Sequence, residues 1–252
     1  MKAEVISKIV RNKLLLYGAT GTGKTHCALK VAFYFSEKGK SVHYLDPEFG
    51  SQKEIYRLLE SGKIKEEHIE NITMFITPSW KTKDVVDDKE NGVVIGGFAN
   101  VFDMLGADLV IIDSMNELMR MHKIYLEQKF IGQGYYIVKE NEYKIKDKET
   151  FTLPWNFYVK IYDELVEMVY KLILKKFHFI CTMHPIGDTD TRKKVEQDIF
   201  KKFDTVIETH YAVSGSEKEW YGIVMKNRGA DSHVRIDNID HKIVKMFSKV
   251  VE

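Results

Sequence analysis

The chain has little of what marks a secreted, membrane-embedded or globally basic protein. Two cysteines occur in 252 residues, Cys27 and Cys181. Both fall in apolar stretches, so no disulfide framework is expected, a reducing compartment fits, and both thiols read as small buried hydrophobes. No apolar run approaches the length of a membrane span, and the mixed, basic residues 1–13 lack the apolar centre of a signal peptide. A cytoplasmic protein with no membrane contact is therefore expected. Net charge is missing as well: 38 basic side chains face 37 acidic ones. That balance supplies no global field for nucleic acid and confines any such contact to local patches. Repeats and low-complexity tracts are absent, and arginines are few. With 44% hydrophobic residues, the chain can bury a sizeable core, and one α/β domain over 1–252 is the expectation.

What is present is concentrated near the start. Leu14-Leu15-Leu16-Tyr17 runs into Gly18-Ala19-Thr20-Gly21-Thr22-Gly23-Lys24-Thr25-His26, matching G-x-x-x-x-G-K-[ST] with no mismatch between a strand-like run and a helical one. Glycines at 18, 21 and 23 let successive N–H groups turn inward around phosphates, and the following helix adds its positive end. In that pattern Lys24 reaches the β- and γ-phosphates of a nucleotide, and the Thr25 hydroxyl ligates the Mg2+ that bridges them.

Along the chain, Ser41 to Asp46 alternates as a strand and stops at Pro47, which sets Asp46 and Glu48 at its carboxyl end. Gln52 to Leu59 is expected as a helix, Asn71 to Ile76 as a strand, and Lys81 to Asn91 as a loop or solvated helix. A helix over about 97–105 leads to Leu109-Val110-Ile111-Ile112-Asp113-Ser114, a run buried on both faces and closed by a carboxylate suited to hold Mg2+ through water. Ser114 to Lys129 is expected as a helix, Gly132 to Lys148 as a β-hairpin insertion, and Leu153 to Lys176 as a long amphipathic helix whose Trp155, Phe157, Tyr158 and Tyr162 pack inward. Phe177 to Thr182 is another buried strand, ending in Met183-His184-Pro185, and strands over Lys201 to Glu208, Glu219 to Lys226 and Val234 to Ile236 complete the sheet.

The pair Tyr44-Leu45-Asp46-Pro47-Glu48 and Leu109-Val110-Ile111-Ile112-Asp113-Ser114 resembles the RecA superfamily, with its acid-x-Glu after the second strand and its aspartate-serine Walker B. Within it the chain is similar to small RecA-like ATPases of phages and archaeal mobile elements, beside the KaiC and RadA branches. The resemblance implies a mostly parallel α/β sheet flanked by helices, with antiparallel strands at the C-terminal edge. It also implies ATP hydrolysis with Glu48 as general base, and a sensor strand, Phe177 to Thr182, between the strands carrying Gly18 and Asp113. Asp46 is the competitor for the role of base; it sits nearer the strand and is suited to orient the loop or coordinate through water. Bacterial RecA proteins end that strand with Asn-Gln where this chain has Cys181-Thr182-Met183-His184, leaving the γ-phosphate sensor open between Thr182 and His184. Lys226-Asn227-Arg228 is similar to the strand-end Lys-x-Arg of ring-forming relatives, implying a homo-oligomeric ring in which Lys226 and Arg228 reach the neighbour's nucleotide. Family position further implies single-stranded DNA contacts through 132–148, with Tyr135 and Tyr136 stacking on bases, and through a loop over 186–197, with Arg192, Lys193 and Lys194 on phosphates. A KaiC-like ATPase acting on a protein partner is the alternative. A P-loop kinase is a weaker one, because so few arginines could build its lid.

Overall fold

In the computed structural model of the chain, residues 12–78, 86–88, 92–187, 190–214, 217–227 and 233–251 are described. The strands are β1 Lys13–Tyr17, β2 Val42–Leu45, β3 Ile72–Ile76, β4 Val86–Asp88, β5 Val93–Ile95, β6 Leu109–Ile112, β7 Tyr135–Val138, β8 Asn141–Lys144, β9 His178–Met183, β10 Thr205–Ser214, β11 Glu217–Asn227 and β12 Arg235–Asp237. The helices are α1 Lys24–Glu37, α2 Gly50–Glu60, α3 Phe98–Val101, α4 Met115–Gln133, α5 Trp155–Ile173, α6 Asp190–Lys202 and α7 Ile239–Val251. Ten strands form one sheet in the order β12-β11-β10-β1-β9-β6-β2-β3-β5-β4, and β7 pairs with β8 apart from it.

Three apolar runs occupy the centre. β1, β9 and β6 pair in parallel, Leu15 opposite Cys181 and Ile111 opposite Ile180. Their side chains alternate between two cores: Leu15, Val110, Ile112, Phe179 and Cys181 face one, and Leu14, Leu16, Leu109, Ile111 and Ile180 the other. Helices α4, α5 and α6 cover the first face, α1 and α7 the second. Burial on both sides is why these strands are continuous apolar runs rather than alternating ones. Each fully buried Leu or Ile contributes roughly 1.5–3 kcal/mol. Cys27 and Cys181 are free, and burial pushes both thiols well above their ordinary range.

Antiparallel pairings close both edges, β11 with β10 and β12 on one side and β4 with β5 on the other. The parallel strands β1, β2, β6, β9 and β10 end on one side of the sheet, the side where ligands sit in open sheets of this kind.

Four expectations change. In the charged stretch 81–91 only 86–88 are described, and they form an edge strand rather than a loop or helix; β5 had no counterpart in the sequence pattern. The loop expected over 186–197 is helical from Asp190 onward. Val195, Ile199 and Phe203 recur at four-residue spacing and pack on the core, an apolar stripe masked by the charges between them. Accordingly the next strand starts at Thr205, and Lys201 and Lys202 end a helix. Finally, Phe157 and Tyr162 are buried, whereas Trp155 is 47% exposed and stacks on Tyr158 at the start of α5.

Candidate active site

The loop after β1 is built by close backbone approach. The Gly18 N–H donates to the Met183 carbonyl at 3.1 Å, and a Cβ on Gly18 would lie 2.6 Å from the Thr209 carbonyl oxygen. No other residue fits there. Thr209 secures the turn from β10, donating to the Tyr17 carbonyl at 3.1 Å and lying 2.7 Å from the Thr22 hydroxyl. Gly23, at φ 87°, precedes α1, so the helix starts at Lys24 with its N–H groups facing the loop.

Lys24 is folded onto this loop. Its ammonium donates to the Gly18 and Ala19 carbonyls at 2.8 Å each and lies 3.3 Å from Nδ1 of His184. Burial lowers its pKa to about 8, against the opposing pull of Asp113 and Glu48. His184 is lowered too, by burial first and by the Lys24 cation second, so its neutral ring can accept from Lys24. The pKa of Lys24 lies below its value in an unfolded chain, so the folded protein holds fewer protons across that interval. Its contribution to apo stability therefore rises with pH from about 8 towards 10.5. A polyphosphate bound at this loop would reverse the preference, because it would need the ammonium. Binding at pH 8 to 9 is thus expected to draw protons from solution, an uptake that fades below about pH 7. Calorimetry in buffers of different ionisation heat measures it, and zero uptake at pH 8.5 would contradict this state of Lys24.

Two carboxylates behave differently across the cleft. Asp46 is buried and accepts from the N–H groups of Glu48, Gly50 and Ser51 and from the Ser51 hydroxyl. It ties down the first turn of α2, and burial raises its pKa. Glu48 lines the cleft and is held by the Ser114 hydroxyl. Phe49, between Glu48 and α2, takes φ 57°, a strained conformation for a bulky residue. Asp113 is nearly buried, accepting from the Tyr44 hydroxyl at 2.9 Å and from the Thr182 hydroxyl. The peptide joining it to Ser114 is cis.

Lys24, Thr25, Glu48, Asp113 and His184 line one cleft of about 480 Å³ together with Thr20 and Gly21 of the loop. Thr182 lies beneath it, fully buried, and positions Asp113. Asn116 fixes His184, accepting from its N–H at 2.7 Å and donating to its carbonyl at 3.1 Å. Lys226 stands elsewhere: its ammonium donates to the Phe200, Lys201 and Phe203 carbonyls at 2.6–3.0 Å, closing the C-terminal end of α6. Arg228 lies outside the described residues, as do the side chains of Arg192 and Lys194; Lys193 is exposed. In the hairpin, Tyr136 stacks on Tyr143 at 5.4 Å and packs against the core, and Tyr135 is half-buried.

Sequence patterns gave no site role to Tyr44, Ser114 or Asn116, nor to Glu54, Arg57 and Trp220, which line the same cleft with His26. Tyr44 left one sign, a polar-tipped residue in a buried strand. His26 Nδ1 lies 3.0 Å from Glu54 and Nε2 3.7 Å from Asp240 of α7. The His26 ring beside it is the main reason the Asp240 carboxyl is held down to about 2, and Arg57 likewise lowers Glu54. Trp220 packs on His26 with ring centroids 4.7 Å apart. Its indole N–H is buried without a hydrogen-bond partner among the described residues, a cost of about 1–3 kcal/mol.

A loop of this form after the first strand, acids after the second and third neighbours, and β9 between β1 and β6 make a specific arrangement. The RadB recombinase is similar in overall structure, at a TM-score of 0.53 and 14% identity over 89% of this chain and 84% of that one. The chain has the RecA-type fold. Two other solved structures align at a TM-score of 0.49: the flagellar accessory protein FlaH from Methanocaldococcus jannaschii, 13% identical over 93% of this chain and 89% of that one, and the KaiC-like protein PH0186 from Pyrococcus horikoshii OT3, 17% identical over 90% and 84%. No protein-family model and no curated protein matches the chain. The RecA-type fold gives the framework, and the chemistry has to be read from the side chains in the cleft. Among the described residues no helix is long and apolar enough to cross a membrane.

Proposed function

We propose that this chain is a Mg2+-dependent ATPase whose nucleotide site is the cleft above β1, β6 and β9. The observation that carries the proposal is the convergence of Lys24, Thr25, Glu48 and Asp113 on that cleft. In this reading the N–H groups of 18–25 and the start of α1 hold the phosphates, and Lys24 leaves the Gly18 and Ala19 carbonyls for the β- and γ-phosphate oxygens. Thr25 and Asp113 would hold Mg2+, which when bound neutralises charge on the transferring phosphoryl group. The described residues contain no cluster of three or more His, Cys, Asp or Glu suited to a metal. In this reading the ion is held mainly by a hydroxyl, one carboxylate, substrate oxygens and water. Glu48 takes the proton of the attacking water; the Ser114 hydroxyl holds its carboxylate in the cleft. His184, beside Lys24, is the better placed of the two sensor candidates, since the Thr182 hydroxyl is spent on Asp113.

The ATPase is further proposed to act on single-stranded DNA through the hairpin β7–β8, as a homo-oligomer. The recombinase name of RadB, which shares the fold, supports this reading, as do the exposed Ile137 and Tyr143 on the hairpin. The second DNA segment contributes less than expected: Glu196 is tied to the Tyr17 hydroxyl and the Ile186 N–H, and 190–202 is a packed helix. Since Lys226 closes α6 in its own chain, a cation offered to a neighbouring nucleotide falls to Arg228. The test is steady-state ATP hydrolysis with and without single-stranded DNA, beside mass measurement with a non-hydrolysable ATP analogue. Mg2+-dependent turnover, several-fold stimulation and nucleotide-dependent oligomers are expected. Turnover without stimulation would overturn the DNA reading and turn the search to a protein partner. Phosphate passing to an acceptor other than water would favour a kinase.

A further inference from the structure

The phosphate loop and the acids beside it account for part of the cleft. Trp220, His26, Glu54 and Arg57 line it too, and phosphate transfer requires none of them. Trp220 stands near the start of β11, which runs antiparallel to β10, so the strand returns the indole to the loop. A Cβ on Gly23 would lie 3.1 Å from the indole ring, so ring and loop backbone are in direct contact. His26 follows Thr25 immediately, and its ring nitrogens face Glu54 on one side and Asp240 on the other, which sets the plane of the imidazole. Those two contacts tie the loop helix α1 to α2 and α7 at this spot.

Phosphates anchored on 18–25 fix where the rest of a nucleotide goes. The nucleoside must continue into the part of the same cleft that the phosphates leave, and that part is walled by an indole and an imidazole. We propose that Trp220 and His26 form the seat of the base and sugar, Trp220 giving ring surface to a purine. The proposal rests on the nucleotide reading of the loop. It adds a determinant of which nucleotide is held, which the loop itself cannot supply because every nucleoside triphosphate carries the same phosphates.

The test compares two probes on the full chain with Mg2+: a non-hydrolysable ATP analogue and inorganic tripolyphosphate, which fills the loop but carries no nucleoside. Calorimetry gives the affinity of each for the wild type, Trp220→Leu and Trp220→Phe. Trp220→Leu is expected to weaken the analogue about ten- to hundredfold, the size of a lost aromatic–base stack, and to change tripolyphosphate affinity less than about twofold. Trp220→Phe keeps a ring against Gly23, guards against a collapsed loop, and is expected to fall in between. Unchanged analogue affinity in both variants overturns the proposal, as does an equal loss of both probes, which would make Trp220 a prop for the loop. Wild-type binding of tripolyphosphate as tight as that of the analogue also overturns it and leaves the phosphate loop intact. Binding of neither probe overturns the loop reading and this proposal together.

Discussion

Replacing Lys24 with Met is expected to lower affinity for ATP by at least two orders of magnitude while leaving the free protein folded. The two halves of that expectation have one cause. The Lys24 ammonium is buried, and its pKa of about 8 records how poorly the site solvates a cation when no anion is present. Loss of one partner from a buried charge pair costs about 3–5 kcal/mol, which is roughly a 150- to 5,000-fold loss of affinity. In the free protein the same substitution removes a desolvated charge and retains the apolar stem, at the expense of two bonds to loop carbonyls. These effects oppose each other, so the melting temperature without ligand should shift by only a few degrees, as for about 1 kcal/mol in a chain of this size. Equilibrium binding of a fluorescent ATP analogue, with a thermal melt of each protein, measures both. Undiminished binding in Lys24→Met would remove the phosphate role from this loop.

The central sheet was legible because its strands announce themselves twice. Leu14-Leu15-Leu16, Val110-Ile111-Ile112 and Phe179-Ile180-Cys181 are runs that only burial on both faces explains, and the strands that carry them stop at Gly18, Asp113 and His184-Pro185, where the apolar pattern breaks. Loop and acids were legible because their chemistry demands particular residue types at particular spacing. What stayed hidden depends on tertiary contact. Asp46 and Glu48 are two residues apart and chemically alike, yet Asp46 meets the first turn of α2 and Glu48 meets Ser114. Lys226 in a charged strand end has the sequence of a free cation, and only the fold brings the carbonyls of 200–203 to it. Trp220 is almost two hundred residues from Gly23, and no local pattern connects them. Helix α6 was lost to its own charges, which outnumber the apolar stripe that holds it down.

Substituting Glu48 with Gln separates binding from hydrolysis. Removal of a general base lowers turnover by about 10²–10⁴-fold, and the amide keeps the size and one acceptor oxygen for the Ser114 hydroxyl, so the cleft keeps its shape. Nucleotide affinity should therefore stay within about threefold of wild type, or rise slightly, since a negative charge leaves the neighbourhood of the phosphates. The same substitution at Asp46 predicts the opposite signature. Its oxygens accept from three N–H groups and a hydroxyl, and an amide nitrogen in place of one oxygen would set a donor against a donor. Asp46→Asn should thus cost about 1–3 kcal/mol of stability, with turnover reduced only as far as the Glu48 loop is disturbed. Single-turnover hydrolysis, equilibrium nucleotide binding and a denaturant melt on the two variants distinguish the roles. Normal turnover in Glu48→Gln beside a silent but well-folded Asp46→Asn would move the base to Asp46. Loss of turnover with full binding in Glu48→Gln would place the water-activating carboxylate where the Ser114 hydroxyl now holds it.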